Sequence, residues 1–301
     1  MGTPDFSVPA LKAIHESDNN ISLVVTQPDK PKGRGKKLSL TPVKEFALSC
    51  GYEVYQPKSL NSDESYDYLK KFNPDFFVVV AFGQILNKKI LSIPRKSPIN
   101  IHGSILPKYR GSAPIHRAIL NGESVTGITT MFMDEGMDTG DMLLKSTIEI
   151  QSNDTTSTIH DKLKDVGASL IIETLENFES ITPEKQDESI ATYAPMLTKK
   201  EGKINWSLNT SDIDYFVRGM TPWPGAFTFH GDKRLKIFSV KKSEEKYSDT
   251  PGTVVECNDT LKIVTSDGSI NITEIQGSSG KRLNISDFLR GYNIKINDCL
   301  V

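Results

Sequence analysis

A run of six apolar residues, Phe76 to Ala81, limits the possible folds of this chain more than any other feature of its sequence. A strand with apolar side chains on both faces must be covered on both faces, as in the parallel sheets of α/β proteins. A β-branched run, Ile21 to Thr26, precedes it. Between the two runs, Thr41 is suited to be the N-cap of a helix over residues 42–48. Strands that alternate with helices predict a doubly wound, mainly parallel, Rossmann-like sheet.

The same alternation continues to about residue 180. Thr126 to Phe132 is a further predicted strand, and Ser157 to Phe178 has the apolar spacing of a long amphipathic helix. Such a domain is expected to open with an apolar strand. This sequence opens instead with a turn and a predicted helix from about Val8, so we expect the first strand to lie upstream or to be lacking. We predict a first domain over residues 1–180.

The rest of the chain has a different pattern. Residues 181–202 are polar, contain two prolines and predict a linker. Beyond Lys203 the sequence consists of short alternating runs, with Asp267-Gly268 as a hairpin signal. A helix is predicted near Ile285 to Tyr292. These patterns predict a small β-barrel-like domain over residues 203–301.

Composition excludes several classes of protein. The 301 residues include three widely spaced cysteines, which is not typical of a disulfide framework or a thiolate zinc site. No apolar run is long enough to span a bilayer, and the first residues do not resemble a secretory signal. The formal net charge is -2, so a nucleic-acid partner would have to be attracted by local charge. We expect a cytoplasmic protein.

Two polar segments carry the chemistry. In the first, Asn100 and His102 lie two residues apart after a predicted strand, so both side chains project to one face. The second, Asp134 to Asp141, follows the next predicted strand and contains Asp138 between two glycines. Ligands of α/β sheets bind where strands end. Each segment also has an ordinary interpretation, as a surface histidine and a solvated turn, and the acidic spacing does not fit a calcium loop.

A family resemblance favours the first interpretation. The string NIHGSILPKYRGSAPIHRAILNGESVTGITTMFMDEGMDTGD resembles the signature region of the folate-dependent formyltransferases. Matching strings occur in the expected order over nearly the whole chain, among them GTPDF, TQPDKPKGRGKKL, VVVAFGQIL and PWPGAF. Two departures are the Ser-Ile-Leu-Pro at residues 104–107, where Ser-Leu-Leu-Pro is usual, and the absence of the family's opening strand before Gly2.

The resemblance implies an activity and a site. It implies transfer of the formyl group of 10-formyltetrahydrofolate to the amino group of methionyl initiator tRNA, by a monomer that needs no metal. The implied catalytic residues are Asn100, His102 and Asp138. We expect Asn100 and His102 to donate hydrogen bonds to the oxyanion, and Asp138 to orient the imidazole or relay protons. The implied folate-binding residues are Ser104, Ile105, Leu106, Pro107, Phe82, Gly83, Ile85 and Leu86.

A basic stretch gives the chain its candidate contact with tRNA. Its cationic residues are Lys30, Lys32, Arg34, Lys36 and Lys37. Prolines and glycines exclude a regular helix there, and a run of charges is commonly only a solvated loop. The resemblance favours a phosphate-binding arm, and it implies an OB-like C-terminal barrel that also holds tRNA. Trp206 and Trp223 are expected in the core or at a domain interface rather than as stacking platforms.

Three other functions share part of this evidence. A formyltransferase acting on a sugar amine or a purine precursor would use the same catalytic residues, but would not need the basic stretch or the second domain. A hydrolase that releases formate could use them as well. A module that only binds nucleic acid would not need the catalytic residues. A dinucleotide-binding module would be expected to carry the Gly-x-Gly-x-x-Gly fingerprint, which this sequence lacks.

Overall fold

The structure is a computed structural model that describes residues 1–32, 37–278 and 280–301. The chain forms two compact units. The first contains Met1–Pro114, Val125–Ile148 and His160–Ala194, and the second contains Ile115–Ser124, Glu149–Ile159 and Pro195–Val301. Within the described residues, no helix has the length and apolar character that crossing a membrane requires.

Strands and helices alternate in the first half of the chain, and strands predominate in the second half. Among the described residues the strands are β1 (Val24–Val25), β2 (Lys30–Lys32), β3 (Lys37–Ser39), β4 (Val54–Tyr55), β5 (Phe76–Val79), β6 (Ser97–His102), β7 (Val125–Phe132), β8 (Met142–Glu149), β9 (Ala226–His230), β10 (Lys233–Ser243), β11 (Val254–Glu256), β12 (Leu261–Val264), β13 (Ser269–Gln276) and β14 (Leu283–Asn284). The α-helices are α1 (Val8–Glu16), α2 (Pro42–Ser49), α3 (Asp63–Lys70), α4 (Lys88–Leu91), α5 (Pro114–Leu120), α6 (Thr156–Glu176), α7 (Thr210–Met220) and α8 (Ile285–Gly291).

The sheets of the first unit confirm the predicted Rossmann-like architecture. Strand β1 pairs in parallel with β4, and β5 pairs in parallel with β6. Strand β7 is antiparallel to β6, and β8 forms the far edge. Phe76 to Val79 of the predicted run 76–81 form β5, whereas only Val24 and Val25 of the run from Ile21 to Thr26 are in a strand. The carboxyl ends of β5 and β6 therefore lie side by side, which is where such sheets bind ligands.

Local signals set the helix boundaries in this unit. The Thr41 hydroxyl accepts a hydrogen bond from the Lys44 amide and caps α2, as predicted. Helix α1 begins at Val8 and α6 spans residues 156–176, close to the predicted bounds. These helices cover the faces of the sheet, which explains why the central strands are continuous apolar runs.

Met1 and Gly2 lie between β1 and β5 and bond to both strands. The Gly2 amide donates to the Val25 carbonyl, and the Met1 carbonyl accepts from the Val80 amide. The amino group of Met1 donates to the Val78 carbonyl at 2.7 Å. A cavity of about 580 Å³ opens beside it, and its lining includes apolar residues of α1, β1 and β5 as well as polar residues such as Asn19 and Asn20. Burial in these surroundings lowers the pKa of the amino group from 8.0 to about 5.

The second unit is an antiparallel barrel. Its strands follow the order β11-β12-β13-β10-β9, and β14 pairs with β13. The last residues of the chain close this sheet, because the Val301 and Phe229 backbones bond to each other and the Leu300 amide donates to the Gly252 carbonyl. Residues 265–268 join β12 to β13, so Asp267-Gly268 forms the predicted hairpin. This arrangement confirms a barrel-like C-terminal domain.

Helix α7 was not predicted from the sequence. It begins after Asn209, whose side chain accepts from the Asp212 amide, and it buries Ile213 and Val217. This cap and the four-residue apolar spacing were the signals available in the sequence. Trp206 is a core residue of this unit, 4% exposed and donating to the Thr228 hydroxyl, whereas Trp223 is 46% exposed.

The stretch expected to be a linker makes specific contacts. Glu184 and Met142 exchange two backbone hydrogen bonds of 2.8 Å, and Tyr193 forms a bridge with Arg110. Residues 181–194 therefore belong to the first unit, and Pro195 begins the next part of the second. The predicted domain limits at residues 180 and 203 stay predictions.

Candidate active site

Asn100 and His102 lie at the carboxyl end of β6. Asn100 is opposite Val79 of β5, and His102 is opposite Thr129 of β7. Because side chains alternate along a strand, the two project to the same face of the sheet. The Asn100 side chain is partly exposed, whereas His102 is only 5% exposed.

Asp138 reaches both residues from the loop after β7. The Asn100 Nδ2 donates to one carboxylate oxygen of Asp138 at 3.4 Å, and His102 Nδ1 is 3.5 Å from the other. That second oxygen also accepts the Gly111 amide at 2.8 Å. The structure therefore brings the three predicted catalytic side chains together. Asp138 has φ of 55°, a left-handed conformation that few residues other than glycine adopt.

The other ring nitrogen of His102 fixes the orientation of the imidazole. Its Nε2 is 2.9 Å from the Tyr109 carbonyl. Since a carbonyl oxygen can only accept, Nε2 carries a hydrogen, and Nδ1 is the nitrogen that can gain or lose a proton. Tyr109 is itself left-handed, with φ of 64°. Backbone strain at both Tyr109 and Asp138 is a feature of functional sites.

This arrangement can stabilise an anion and hold a proton. The Asn100 amide is a donor at a partly exposed position, where it can bond an oxygen that becomes negative during a reaction. The Asp138 carboxylate, with its side chain 19% exposed, is the part of the pair that solvent reaches, and His102 lies behind it at 6%. An imidazole next to a carboxylate can keep a proton that a substrate releases.

Comparison with known proteins identifies the family. The family described as Formyl transferase matches residues 1–175, and the family described as Formyl transferase, C-terminal domain, matches residues 196–293. The chain belongs to the formyl transferase family. It is 46% identical, over 98% of its length and 96% of the relative's, to a methionyl-tRNA formyltransferase of Caldanaerobacter subterraneus subsp. tengcongensis. It is 45% identical, over 98% of its length and 96% of the relative's, to one of Clostridium tetani.

A solved structure shares the fold of this formyl transferase. It is an N-formyltransferase of Helicobacter canadensis in complex with folinic acid and dTDP-3-aminofucose. The TM-score is 0.68, the sequence identity is 19%, and the alignment covers 90% of this chain and 96% of the other. The predicted family and architecture are thereby confirmed.

The residues predicted to bind folate follow β5 and β6. Phe82 and Leu86 are 2% exposed and pack in the core beside the sheet, and Ile85 is 72% exposed. Gln27 donates from its amide to the carbonyls of Phe82 and Gly83, which holds this segment in place. Their role in folate binding stays a prediction.

The second predicted folate segment, residues 104–107, directly follows Asn100 and His102, which with Asp138 form the predicted catalytic trio. Ser104 is fully buried and donates to the Lys108 carbonyl, and Leu106 packs against Met131 and Met142. The Thr129 hydroxyl bonds the backbone of both Ser104 and Leu106. Ile105 is partly exposed, and the peptide bond between Leu106 and Pro107 is cis. In both predicted folate segments the buried residues serve as anchors. The exposed side chain is Ile85 in the first segment, and the partly exposed one is Ile105 in the second.

The basic stretch forms an antiparallel hairpin from β2 and β3, with Lys30 paired to Ser39 and Lys32 to Lys37. Arg34 and Lys36 lie outside the described residues. Asp29, at the base of the hairpin, forms an ion pair with Lys44 at 2.6 Å and accepts from the Gln56 amide. The hydrogen bond from Lys44 is the main cause that lowers the pKa of Asp29, so this carboxylate, the only acidic residue of the stretch, stays ionised and its charge is offset by Lys44.

Sequence reasoning did not find the residues that support Asp138. Gln186 donates to the carbonyls of Asp138 and Gly140, and Arg110 donates to Gln186. The polar stretch after residue 180 gave no periodic signal, because these contacts are made between distant segments. Among the described residues no group of three or more His, Cys, Asp or Glu side chains could hold a metal ion.

Proposed function

We propose that this formyl transferase moves the formyl group of 10-formyltetrahydrofolate to the amino group of methionyl initiator tRNA. The observation that carries the proposal is the convergence of three side chains: Asn100 and His102 at the carboxyl end of β6, and Asp138 from the loop after β7. The full-length similarity to methionyl-tRNA formyltransferases supports the choice of amine.

The proposed reaction assigns one task to each side chain. The neutral amine attacks the formyl carbon, a C–N bond forms, and the carbonyl oxygen becomes an oxyanion. Asn100 donates a hydrogen bond to that oxygen, which typically contributes about 10²–10³ in rate. The amine's proton passes to the pair formed by Asp138 and His102, with His102 Nδ1 as its resting place. The bond from the formyl carbon to the folate nitrogen then breaks, and that nitrogen receives a proton as tetrahydrofolate leaves.

The folate segments fit this assignment by position. The stretches 82–86 and 104–107 follow neighbouring parallel strands, and Val79 of β5 is in register with Asn100 of β6. A ligand bound across these strand ends lies next to the trio. We propose that the exposed Ile85 and the partly exposed Ile105 contact the folate, without a metal ion, and that the buried Ser104, Leu106 and Pro107 hold Ile105 in place.

The basic hairpin is the proposed contact with tRNA. Lys30 bonds to Gln27 at its base, and the cationic side chains of Lys32, Arg34, Lys36 and Lys37 are assigned to phosphates. We further propose that the protein works as a monomer in the cytoplasm, which light scattering of the purified protein and fractionation of cells would test.

One assay separates this function from its alternatives. Labelled formyl from 10-formyltetrahydrofolate would be offered to charged initiator tRNA, to an amino sugar nucleotide and to water alone. We expect transfer to methionyl-tRNA only. Release of formate at the same rate without an amine would indicate a hydrolase, and transfer to the sugar amine in preference to tRNA would overturn the proposal.

A further inference from the structure

Gln186 lies on the segment after residue 180 and is nearly inaccessible, with 4% of its surface exposed. Its amide nitrogen donates to the Asp138 carbonyl at 2.8 Å and to the Gly140 carbonyl at 2.7 Å. Its amide oxygen accepts from Arg110 Nε at 2.9 Å. Both hydrogens of the amide are therefore used, and only this orientation of the side chain places donors against carbonyl oxygens.

Arg110 holds Gln186 in this orientation. Its side chain is fully buried, yet its two terminal nitrogens donate to the two carboxylate oxygens of Glu188 at 3.0 and 2.7 Å. The Glu188 carboxylate raises the pKa of Arg110 and Arg110 lowers that of Glu188, so both stay charged. In a bidentate ion pair of this kind, two parallel hydrogen bonds fix the orientation of the guanidinium in addition to the attraction of the charges.

Two neighbouring parts of the chain hold Asp138 from both sides. The Gly111 amide, next to Arg110, donates to the Asp138 carboxylate at 2.8 Å, while Gln186 binds the Asp138 carbonyl. Gly111 has a φ of +114°, which side chains disfavour. A Cβ at this position would also lie only 2.9 Å from the Ala194 carbonyl oxygen. Asp138 is thus held at its side chain and its backbone by one connected set of hydrogen-bonded groups, of which Arg110 and Gln186 are buried.

The backbone of Asp138 requires such support. Its left-handed φ of 55° is unfavourable in a residue other than glycine unless the surroundings fix it. A peptide that relaxed to an ordinary conformation would turn the carboxylate away from His102 Nδ1. The two carbonyls bonded by Gln186 flank Thr139, so the amide spans the turn just after the catalytic carboxylate.

We propose that Gln186, fixed by Arg110 and Glu188, is a positioning residue for formyl transfer: it holds Asp138 against His102 and Asn100. The proposal rests on the proposed function where it is tested by kcat. A second test, amide hydrogen exchange, depends only on the hydrogen bonds and not on the reaction. The proposal predicts an effect on turnover rather than on substrate binding, since Gln186 has no free donor for a substrate.

The variants Gln186→Leu and Gln186→Glu test this role. Leucine keeps the size and removes the donors, and glutamate keeps the bond from Arg110 but places acceptors against two carbonyls. We expect kcat to fall about 10- to 100-fold in both, with KM for each substrate within about threefold of the parent. Amide hydrogen exchange of Gly111 should accelerate at least about tenfold, because its acceptor is no longer held.

The matched controls are Gln276→Leu and Gln276→Glu, since that amide also donates to a backbone carbonyl, that of Gly280. We expect both to keep the kcat of the parent. If the Gln186 variants keep kcat within about twofold of the parent, the positioning role is wrong and the proposed function stands. If the parent protein transfers no formyl group, the proposed function fails. The positioning role is then tested on its own: hydrogen exchange of the Gly111 amide that is as slow in the folded Gln186 variants as in the parent would refute it.

Discussion

At the scale of single residues, the site depends on which atoms are already occupied. The Tyr109 carbonyl takes the Nε2 hydrogen of His102, so only Nδ1 exchanges protons with Asp138. In the proposed reaction Asn100 alone bonds the oxyanion, because its amide nitrogen has a second hydrogen beyond the one directed at Asp138. From the sequence, both Asn100 and His102 are expected to donate to the oxyanion, whereas here each of the three side chains is proposed to have a separate task. The reaction then requires all three together.

Removal of any one of the three side chains should therefore disable the reaction. We expect Asn100→Ala, His102→Ala and Asp138→Asn each to lower kcat about 10²–10³-fold, and Asn100→Ala combined with His102→Ala to reduce kcat far less than the product of the two single reductions. Asparagine tolerates the left-handed backbone at residue 138 and is chosen for that reason. Steady-state kinetics with charged tRNA, beside the surface control Asp67→Asn, would measure this. Near-normal kcat in any single variant would remove that residue from the mechanism.

The acidic loop around Asp138 should not need a cation. Asp134 accepts bonds from the Gly136 amide and the Thr139 hydroxyl, so its carboxylate serves the turn itself. We expect treatment of the protein with a chelator to leave formyl transfer unchanged. The tRNA is folded beforehand and supplied with the magnesium that the tRNA itself requires. Loss of activity that zinc, manganese or another added divalent ion restored in the protein, with tRNA structure unaltered, would show that the loop binds a metal.

At the scale of elements, the basic hairpin is the feature that separates a tRNA substrate from a small amine. We expect joint replacement of Arg34, Lys36 and Lys37 by Gln to raise KM for tRNA. The log–log salt slope should fall by about 0.7–0.9 for each phosphate group that the variant no longer binds. KM for the folate donor should stay the same, because the proposed folate-binding segments follow β5 and β6 and lie outside the hairpin.

A second triple variant provides the comparison for the hairpin. Lys12, Lys70 and Lys71 lie on or next to α1 and α3, and their replacement by Gln removes the same charge from the protein. We expect this variant to keep the parent salt slope. Equal effects of the two triple variants would mean that net charge alone attracts tRNA, and no effect of either would favour a small amine as the substrate.

The elements that the sequence predicts are those with local causes. Helix α2 has its Thr41 cap, β5 its continuous apolar run, and the loop between β12 and β13 its Asp-Gly pair. Only two residues of the run Ile21 to Thr26 are in β1, because pairing partners determine strand length and the sequence does not show them. The trio was found by the resemblance, whereas the contacts of Gln186 depend on residues 76 positions apart and leave no local pattern.

At the scale of the whole molecule, a buried amino group couples folding to pH. For a chain that begins at Met1, the pKa of this amine is about 5 when folded and 8.0 when unfolded. The unfolded chain therefore binds more protons between these values, and stability should rise as pH increases from 5 to 8. The gain is at most about 4 kcal/mol and is complete above pH 8.

Urea unfolding at several pH values would measure this coupling. The comparison is the same chain acetylated at its N-terminus, which cannot ionise there and whose acetyl group has room in the neighbouring 580 Å³ cavity. We expect the acetylated chain to show a flatter dependence on pH between 5 and 8. Identical slopes for the two chains would mean that the amine of the folded protein is exposed to water.

The contacts of residues 181–194 also decide where a protease can cut. By composition this polar stretch is an obvious target, and Lys185 is exposed. However, cleavage requires the backbone to leave its partners, and the residues on either side of Lys185 bond to Met142 and to the Asp138 loop. The segment 244–250, by contrast, is exposed along its whole length and lies outside any helix or strand. Brief trypsin treatment should therefore nick the folded chain after Lys246 and leave the peptide bond after Lys185 intact.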